Sequence, residues 1–332
     1  MQTRGMLRPH RPRHPVPTTP DTTQGGQLAV VTCHFNWAGF DRPRQNLHRF
    51  LRQMRSMGVQ VYGIEAVLPG QKPQTLGNPK WRQIDANPET QILFQKEQLL
   101  NLAERLVPPQ FTKIAWLDAD IMFGNLNWAR DTSLLLDRYY FVQPFETAAW
   151  TSHNGNEEFR KPSTLRMRGG LPTVSHPGFA MAARRSLWKD AGGLYRNLIV
   201  GNGDMGIAAA ILRQEVPSTQ KYSPELAAHY GPWHDRIAYL SERWGLTFTP
   251  GTIWHEWHGS IRDRRYAERN YLLSRVDPGT HLTVGANGLM EWTDAAPQEC
   301  KDYVRDYFIN RREDGIPQPP TTENDHDRNP TS

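Results

Sequence analysis

The residues with the most chemical content are two aspartates, Asp118 and Asp120, which follow the apolar run Ile114-Ala115-Trp116-Leu117. In an extended strand, residues two apart point to the same side. The triplet Asp118-Ala119-Asp120 is therefore expected to set two carboxylates on one face where a buried strand emerges. Like charges held that close repel, and a fold keeps them most readily when a cation sits between the pair and another anion. Hard divalent ions take carboxylate oxygens together with substrate phosphates. The pattern predicts Mn²⁺ or Mg²⁺ bridging this pair to a diphosphate, such as that of a nucleotide-sugar. The competing reading is a loop cap, because Asp-x-Asp triplets arise by chance in chains of this length.

Five further groups belong beside the pair. The run Gly201-Asn202-Gly203-Asp204-Met205-Gly206 matches the G-x-G-x-x-G dinucleotide fingerprint in letters. That fingerprint should follow the first strand of a βαβ unit, and this one lies late, while the first strand-to-helix turn has a single glycine. A tight turn that sets Asp204 at a helix N-terminus fits better. There Asp204 is either a simple cap or a carboxylate placed as general base. In Trp254-His255-Glu256-Trp257-His258-Gly259 the histidines are three apart, not four as in the zinc-protease pattern. On a strand that spacing puts them on opposite faces, so at most one is expected to face a metal. His258, beside Gly259, is the choice, against a purely structural histidine. Lys96 is either a phosphate counter-charge or a solvated lysine, and Glu97 and Asn101 share a helix face. His176-Pro177-Gly178-Phe179 reads as a turn lining a pocket or simply turning a corner. Arg262, Arg264, Arg265 and Arg269 form a solvated face or a phosphate grip.

The elements that must position these groups read as α/β. The run 28–36 is a buried strand, 44–57 a helix ended by Gly58, 59–67 a strand, 81–84 a short strand, 90–106 a helix stopped by prolines, and 113–117 a strand. This order argues for a largely parallel sheet flanked by helices, with ligands at the carboxyl ends of the strands. Further on, strands are expected near 140–144 and 179–183, helices at 186–192, 204–212 and 266–274, and a strand at 254–258. Residues 151–172 read as a long polar loop, a candidate lid. Residues 1–26 and 313–332 read as disordered tails, the first basic.

The chain has 332 residues, 38% of them hydrophobic, with 11 tryptophans, enough for a sizeable core. No run approaches the ~20 apolar residues of a membrane helix, so no membrane insertion is expected. The N-terminus lacks an apolar signal core; its arginines allow a transit peptide, but its prolines oppose the amphipathic helix one needs. Two distant cysteines form neither a disulfide framework nor zinc spacing, which suits a reducing cytoplasm. A net charge of +5 is compatible with an anionic donor, a nucleic-acid acceptor, or ordinary surface charge.

In this order the motifs resemble the GT-A-fold glycosyltransferases, especially the family-2-like phage and bacterial type. The resemblance rests on the strand ending Cys33-His34-Phe35-Asn36, Lys96-Glu97 with Asn101, Asp118-Ala119-Asp120, His176 to Ala180 running to Gly192-Gly193-Leu194, Gly201 to Asp204, and His255 to Gly259. It covers residues 28–275. It implies a single Rossmann-type domain over 27–312, with a nucleotide-sugar-binding half at 27–125 and an acceptor and catalytic half at 126–312. It implies donor contacts from Thr32, His34, Asn36, Lys96, Asn101, Asp118, His176 and Gly178, metal ligation by Asp118, Asp120 and His258, and Asp204 as catalytic base. Related galactosyltransferase-like enzymes carry a Gly-Gly-Glu-Asp-type segment where this chain reads Gly-Asn-Gly-Asp, so only Asp204 carries over.

The reaction so implied is transfer, with inversion, from a UDP- or GDP-sugar to an acceptor hydroxyl. The acceptor is left open between a hydroxymethylated pyrimidine in phage DNA, reached by base flipping, and a glycan or protein. Two other classes fit the sequence less well. A sugar-1-phosphate nucleotidyltransferase should open with a Gly-rich loop after the first strand, and Cys33 to Trp37 lacks one. A non-catalytic nucleic-acid-binding protein would rest on the basic arms alone, without a recognised reader motif.

Overall fold

The structure is a computed structural model, and it describes residues 27–216 and 221–315. The tail expected at 1–26 and residues 316–332 of the tail expected at 313–332 lie outside the described residues.

In chain order the first half runs β1 (Leu28–Phe35), α1 (Asp41–Ser56), β2 (Val61–Val67), β3 (Trp81–Asp85), α2 (Lys96–Glu104), β4 (Lys113–Leu117), β5 (Ile121–Phe123) and α3 (Trp128–Leu136). Next come β6 (Phe141–Gln143), β7 (Thr147–Thr151), β8 (Glu157–Pro162), α4 (Thr164–Met167), β9 (Ala180–Arg184), α5 (Leu187–Ala191), α6 (Gly203–Leu212) and α7 (Pro224–Trp244). The remainder is β10 (Leu246–Phe248), β11 (Thr252–His255), a 3₁₀ turn (Arg262–Arg264), α8 (Tyr266–Tyr271), a second 3₁₀ turn (Leu272–Arg275), α9 (Pro278–His281), β12 (Leu282–Val284), β13 (Met290–Trp292) and α10 (Gln298–Ile309).

The expected α/β architecture is present. A seven-stranded sheet runs in the order β10-β6-β9-β4-β1-β2-β3. Its strands are parallel except β9, which is antiparallel to both β4 and β6. β1 shows why the sheet is central. Leu28 and Val30 enter the core on one face with Leu47, Phe50 and Met54 of α1. Ala29 and Val31 enter the opposite core with Leu99 and Ala103 of α2. Such two-sided burial is what a parallel interior strand requires, and each large apolar side chain buried contributes about 1.5–3 kcal/mol. A second sheet, β5-β11-β7-β8, stands beside the first, and the chain passes from one to the other at Asp118–Asp120.

Several expectations are corrected. The 90–106 helix begins only at Lys96, because the preceding backbone is committed elsewhere: Phe94 N donates to Ile199 O, and the Gln95 side chain bonds both N and O of Met290. The 151–172 segment is not a loop. It holds β8, paired antiparallel with β7, and the short α4; a strand with one solvated face reads as polar. The 21-residue α7 had no sequence expectation. Its buried residues Leu226, Tyr230, Ile237 and Leu240 keep helical spacing, but Pro232 sits in its interior and masks the signal. The strand expected at 254–258 stops at His255.

The ordered body also extends beyond 312. Glu313 is buried, and the Asp314 carboxylate accepts bonds from the backbone N–H groups of Asp41 (2.9 Å) and Arg42 (2.6 Å). The residue before α1, Phe40, offers no side-chain cap, so the C-terminal segment satisfies the Asp41 and Arg42 donors at that helix start; Pro43 has no N–H to satisfy. Among the described residues no helix is long and apolar enough to cross a membrane, and both cysteines are free.

Candidate metal and donor site

β4 ends at Leu117; the Asp118 N–H still reaches across to Phe179 O at 2.8 Å, continuing the β4–β9 register, and the chain then turns at Ala119–Asp120. The two aspartates therefore lie on a turn between the sheets rather than on one strand face, and their carboxylates serve two different clusters.

Asp120 belongs to the first cluster. Its Oδ2 lies 2.8 Å from His258 Nε2 and 3.6 Å from His255 Nε2, and the two Nε2 atoms are 3.2 Å apart. The histidines meet because β11 ends at His255. Glu256 N then bonds Asp120 O, Trp257 N bonds Thr151 Oγ1, and the turn brings His258 back over His255. The opposite-face expectation assumed a strand running through 258. Gly259, at φ +85°, closes this turn, and a Cβ there would stand 2.8 Å from Arg312 O. The close approach it permits is that of the C-terminal backbone.

The electrostatics of the three groups are consistent. Burial pulls the His255 imidazole down to about 4, against the opposing pull of Asp120, so the ring is neutral near pH 7. Burial pushes the Asp120 carboxyl up, but the His255 and His258 rings outweigh it and hold Asp120 ionised. His258 Nδ1 pairs with Glu313 Oε1 at 2.8 Å. With Nδ1 engaged by Glu313, Nε2 is the ring nitrogen left for a metal ion. Glu313 is itself held down to about 2: burial opposes this, and Arg311 (2.6 Å) and His258 prevail.

Three electron-pair donors thus converge, and the other Asp120 oxygen, Oδ1, is buried with no protein partner. Cis ligands at bond lengths of about 2.1 Å are separated by roughly 3 Å. The separations of 2.8, 3.2 and 3.6 Å fit one divalent ion. Asp118 is not part of this group among the described residues.

Asp118 belongs to the second cluster. Lys96, the first residue of α2, places Nζ 2.6 Å from Asp118 Oδ1 and 2.9 Å from each Asp204 carboxylate oxygen. Asp204 sits in the first turn of α6, after Gly201 (φ +86°) and the Asn202 cap. Gly203 lets α6 touch α2, since a Cβ there would stand 1.8 Å from Glu97 Oε1. One ammonium therefore faces three carboxylates. Burial alone would lower Lys96, but Asp118, Asp204 and Glu97 hold it charged. Burial raises Glu97 to about 8 and Asp118 to about 7 despite Lys96. The Glu97 Oε2 atom is buried without a partner.

The other expected donor contacts are placed as follows. Thr32 Oγ1 donates to Leu117 O at 2.8 Å and ties β1 to the end of β4. His34 is buried at the end of β1, and burial lowers its pKa. The Asn36 amide closes a turn with Phe40. The Asn101 amide is committed to the N–H and C=O of Leu194 and to Trp188 Nε1, so it stitches α2 to the 192–194 turn. His176 is half-buried, with its Nε2 atom buried and unpartnered, and desolvation of the ring holds it neutral. At Gly178 a Cβ would meet Asp204 Oδ2 at 2.8 Å and His176 Nε2 at 3.2 Å, so both atoms border the space this glycine leaves open. Phe179, at φ +73°, stacks on His255 with ring centroids 4.8 Å apart. A left-handed non-glycine residue costs roughly 1–2 kcal/mol, and here it links the two clusters.

The structure therefore gathers Lys96, Asp118, Asp204, His176 and Gly178 on one side and Asp120 with His258 on the other. His255 and Glu313 join the second group without having been expected, and Arg264, read in the sequence as part of a solvated face or a phosphate grip, joins it too. His255 was in view and was set aside by the strand rule; nothing near Glu313 in sequence signals a role.

No protein family's sequence profile matches the chain, and no curated protein sequence matches it. Solved structures share parts of its topology. The catalytic domain of Drosophila β1,4-galactosyltransferase 7 in complex with xylobiose has 14% identity and a TM-score of 0.31, over 57% of this chain and 62% of that one. The match thus spans less than two thirds of that domain. Glucosyl-3-phosphoglycerate synthase from Mycobacterium tuberculosis, in complex with Mn²⁺, UDP and phosphoglyceric acid, has 13% identity and a TM-score of 0.39, over 83% of this chain and 89% of that one. A putative glucose-1-phosphate thymidylyltransferase from Bacillus anthracis has 8% identity and a TM-score of 0.35, over 79% and 98%. Likenesses this distant carry no argument about chemistry, which rests on the chain's own residues.

Proposed function

We propose that this chain is a metal-dependent glycosyltransferase of the GT-A, family-2-like type, moving a sugar from a UDP- or GDP-sugar to an acceptor hydroxyl with inversion. The observation that carries the reading is the convergence of Asp120, His255 and His258 on one ion-sized point at the carboxyl end of β4. Parallel α/β sheets bind ligands at such strand ends.

Asp120, His255 and His258 would hold Mn²⁺ or Mg²⁺. A bound divalent ion would offset the charge of a diphosphate leaving group. Asp118, fixed by Lys96, is placed for the donor's ribose or phosphate side. The unpartnered His176 Nε2 offers a hydrogen bond to a sugar hydroxyl beside Gly178. Asp204 is 34% exposed and is the carboxylate placed to accept the acceptor's proton. Lys96 holds both its oxygens and fixes its direction. Thr32 and Asn36 brace the strand end, with His34 beside them, and Asn101 braces the turn after α5. The net charge of +5 and the arginines Arg262, Arg264, Arg265 and Arg269 support an anionic acceptor, of which phage DNA carrying hydroxymethylpyrimidine is the first to try. The free cysteines suit a cytoplasmic enzyme.

The test follows nucleoside-diphosphate release from UDP-, GDP- and dTDP-sugars with Mn²⁺, with and without hydroxymethylated DNA, for the wild-type chain and Asp120→Asn. The expected result is release from one donor that needs the metal and falls roughly 100-fold or more in the variant. Metal-independent release that Asp120→Asn leaves intact would overturn the assignment. Release indifferent to the DNA would redirect the acceptor to a glycan or protein.

A further inference from the structure

The metal-binding reading leaves one charged neighbour unexplained. Arg264 ends the 3₁₀ turn Arg262–Arg264 and aims its guanidinium into the histidine pair. Its Nη2 lies 2.8 Å from His258 Nε2 and 3.4 Å from His255 Nε2. These are the same two nitrogens that face Asp120.

Each neutral imidazole nitrogen of this kind has one lone pair. That lone pair accepts an N–H or binds a metal ion, but not both. The charges point the same way. Within the buried group Glu313 is matched by Arg311 at 2.6 Å, and Asp120 is the other carboxylate. The Arg264 guanidinium brings a positive charge to the two nitrogens that face it.

We propose that Arg264 is a resident counter-cation of this site, occupying the His255 and His258 lone pairs in the metal-free chain and giving them up when a divalent ion binds. This rests on the metal-centre assignment made above. It adds that the affinity for the ion is set by competition with a side chain of the same protein. It also links metal loading to the 259–265 segment, because the guanidinium must leave the pair as the ion enters. The turn carrying Arg264 ends at Arg265 in the left-handed region, at φ +43°.

The experiment titrates Mn²⁺ into the full-length wild-type chain and the Arg264→Met, Arg264→Lys and Asp120→Asn variants. Free Mn²⁺ is read by electron paramagnetic resonance, and folding by circular dichroism. Hydrogen bonds to charged groups are strong enough that their removal should tighten Mn²⁺ binding roughly tenfold to a hundredfold in Arg264→Met. Arg264→Lys, which keeps the charge but loses the planar fork, should fall between the two and serves if Arg264→Met does not fold. Asp120→Asn should lose binding. Equal or weaker Mn²⁺ binding in folded Arg264→Met, with binding still lost in Asp120→Asn, overturns the competition and leaves the metal centre standing. No Mn²⁺ binding by either the wild-type chain or Arg264→Met overturns the metal centre and this inference with it.

Discussion

Replacing Lys96 by methionine isolates the electrostatics of the Asp118–Asp204 cluster while keeping the length of the side chain. Lys96 is 10% exposed and lies 2.6 Å from Asp118 and 2.9 Å from Asp204. Removing one partner of a buried ion pair costs about 3–5 kcal/mol, because the other charge stays buried and unpaired. The lower end applies here, since Asp118 is 24% and Asp204 34% exposed and solvent screens both. A stranded carboxylate can also take up a proton, which makes the cost depend on pH. In the wild-type chain burial already raises Asp118 to about 7, and without the ammonium it rises further. Unfolded, the same group ionises near its model value of 3.8. Folded Lys96→Met therefore holds protons that the unfolded chain has released. The wild-type group keeps its proton over the same range up to about 7, so the deficit relative to wild type grows as pH climbs from about 7 toward the variant's higher folded value. Urea denaturation should show a loss of about 3 kcal/mol at pH 8 and about 1 kcal/mol at pH 5.5. For a chain of this size each kcal/mol moves Tm by roughly 2–4 °C. Adding Asp118→Asn to Lys96→Met should recover a large part of the loss at pH 8. A deficit below about 1 kcal/mol at pH 8, or one equal at both pH values, would refute the reasoning.

Three more outcomes are expected. Glu97 is raised to about 8 by burial from a model value of 4.5, so its contribution to stability is complete below about pH 4.5 and is lost as pH rises through about 8. Glu97→Gln should flatten that window and gain on the wild-type chain at pH 8 by on the order of a few kcal/mol, as measured by denaturant melts across pH; parallel curves would count against a protonated Glu97. Gly178→Ala would place a methyl group 2.8 Å from Asp204 Oδ2. It should cut turnover at least roughly tenfold by moving that carboxylate, with Mn²⁺ affinity unchanged. Glu313→Gln removes the carboxylate that orients His258, and should weaken Mn²⁺ binding about 10–100-fold in the same titration that follows Arg264.

The sequence by itself determined the sheet and the main polar positions. β1, β2 and β4 appear as short apolar runs because they are buried on both faces, and a burial pattern that local is written in local composition. Lys113–Leu117 is found where the apolar run places it, and Asp204 lies in the first turn of its helix as the glycine turn implies. What depended on turns, on long-range partners or on a solvated face was hidden. β8 reads as polar because one side of it meets water, and α7 is masked by Pro232.

The site itself was decided by the tertiary structure. Strand periodicity placed Asp118 beside Asp120 and separated His255 from His258. The fold does the reverse, because β4 ends at Leu117, before the aspartates, and β11 ends at His255, before His258, and the turns that follow re-aim the side chains. Asp118 goes to Lys96, and Asp120 goes to the two histidines. Glu313, 55 residues beyond His258, reaches the site only because the C-terminal segment returns to cap α1. A residue's type sets which bonds it can make. Which atoms stand within 3 Å of it is fixed by chain reversals and distant partners, and those are properties of the packed structure alone.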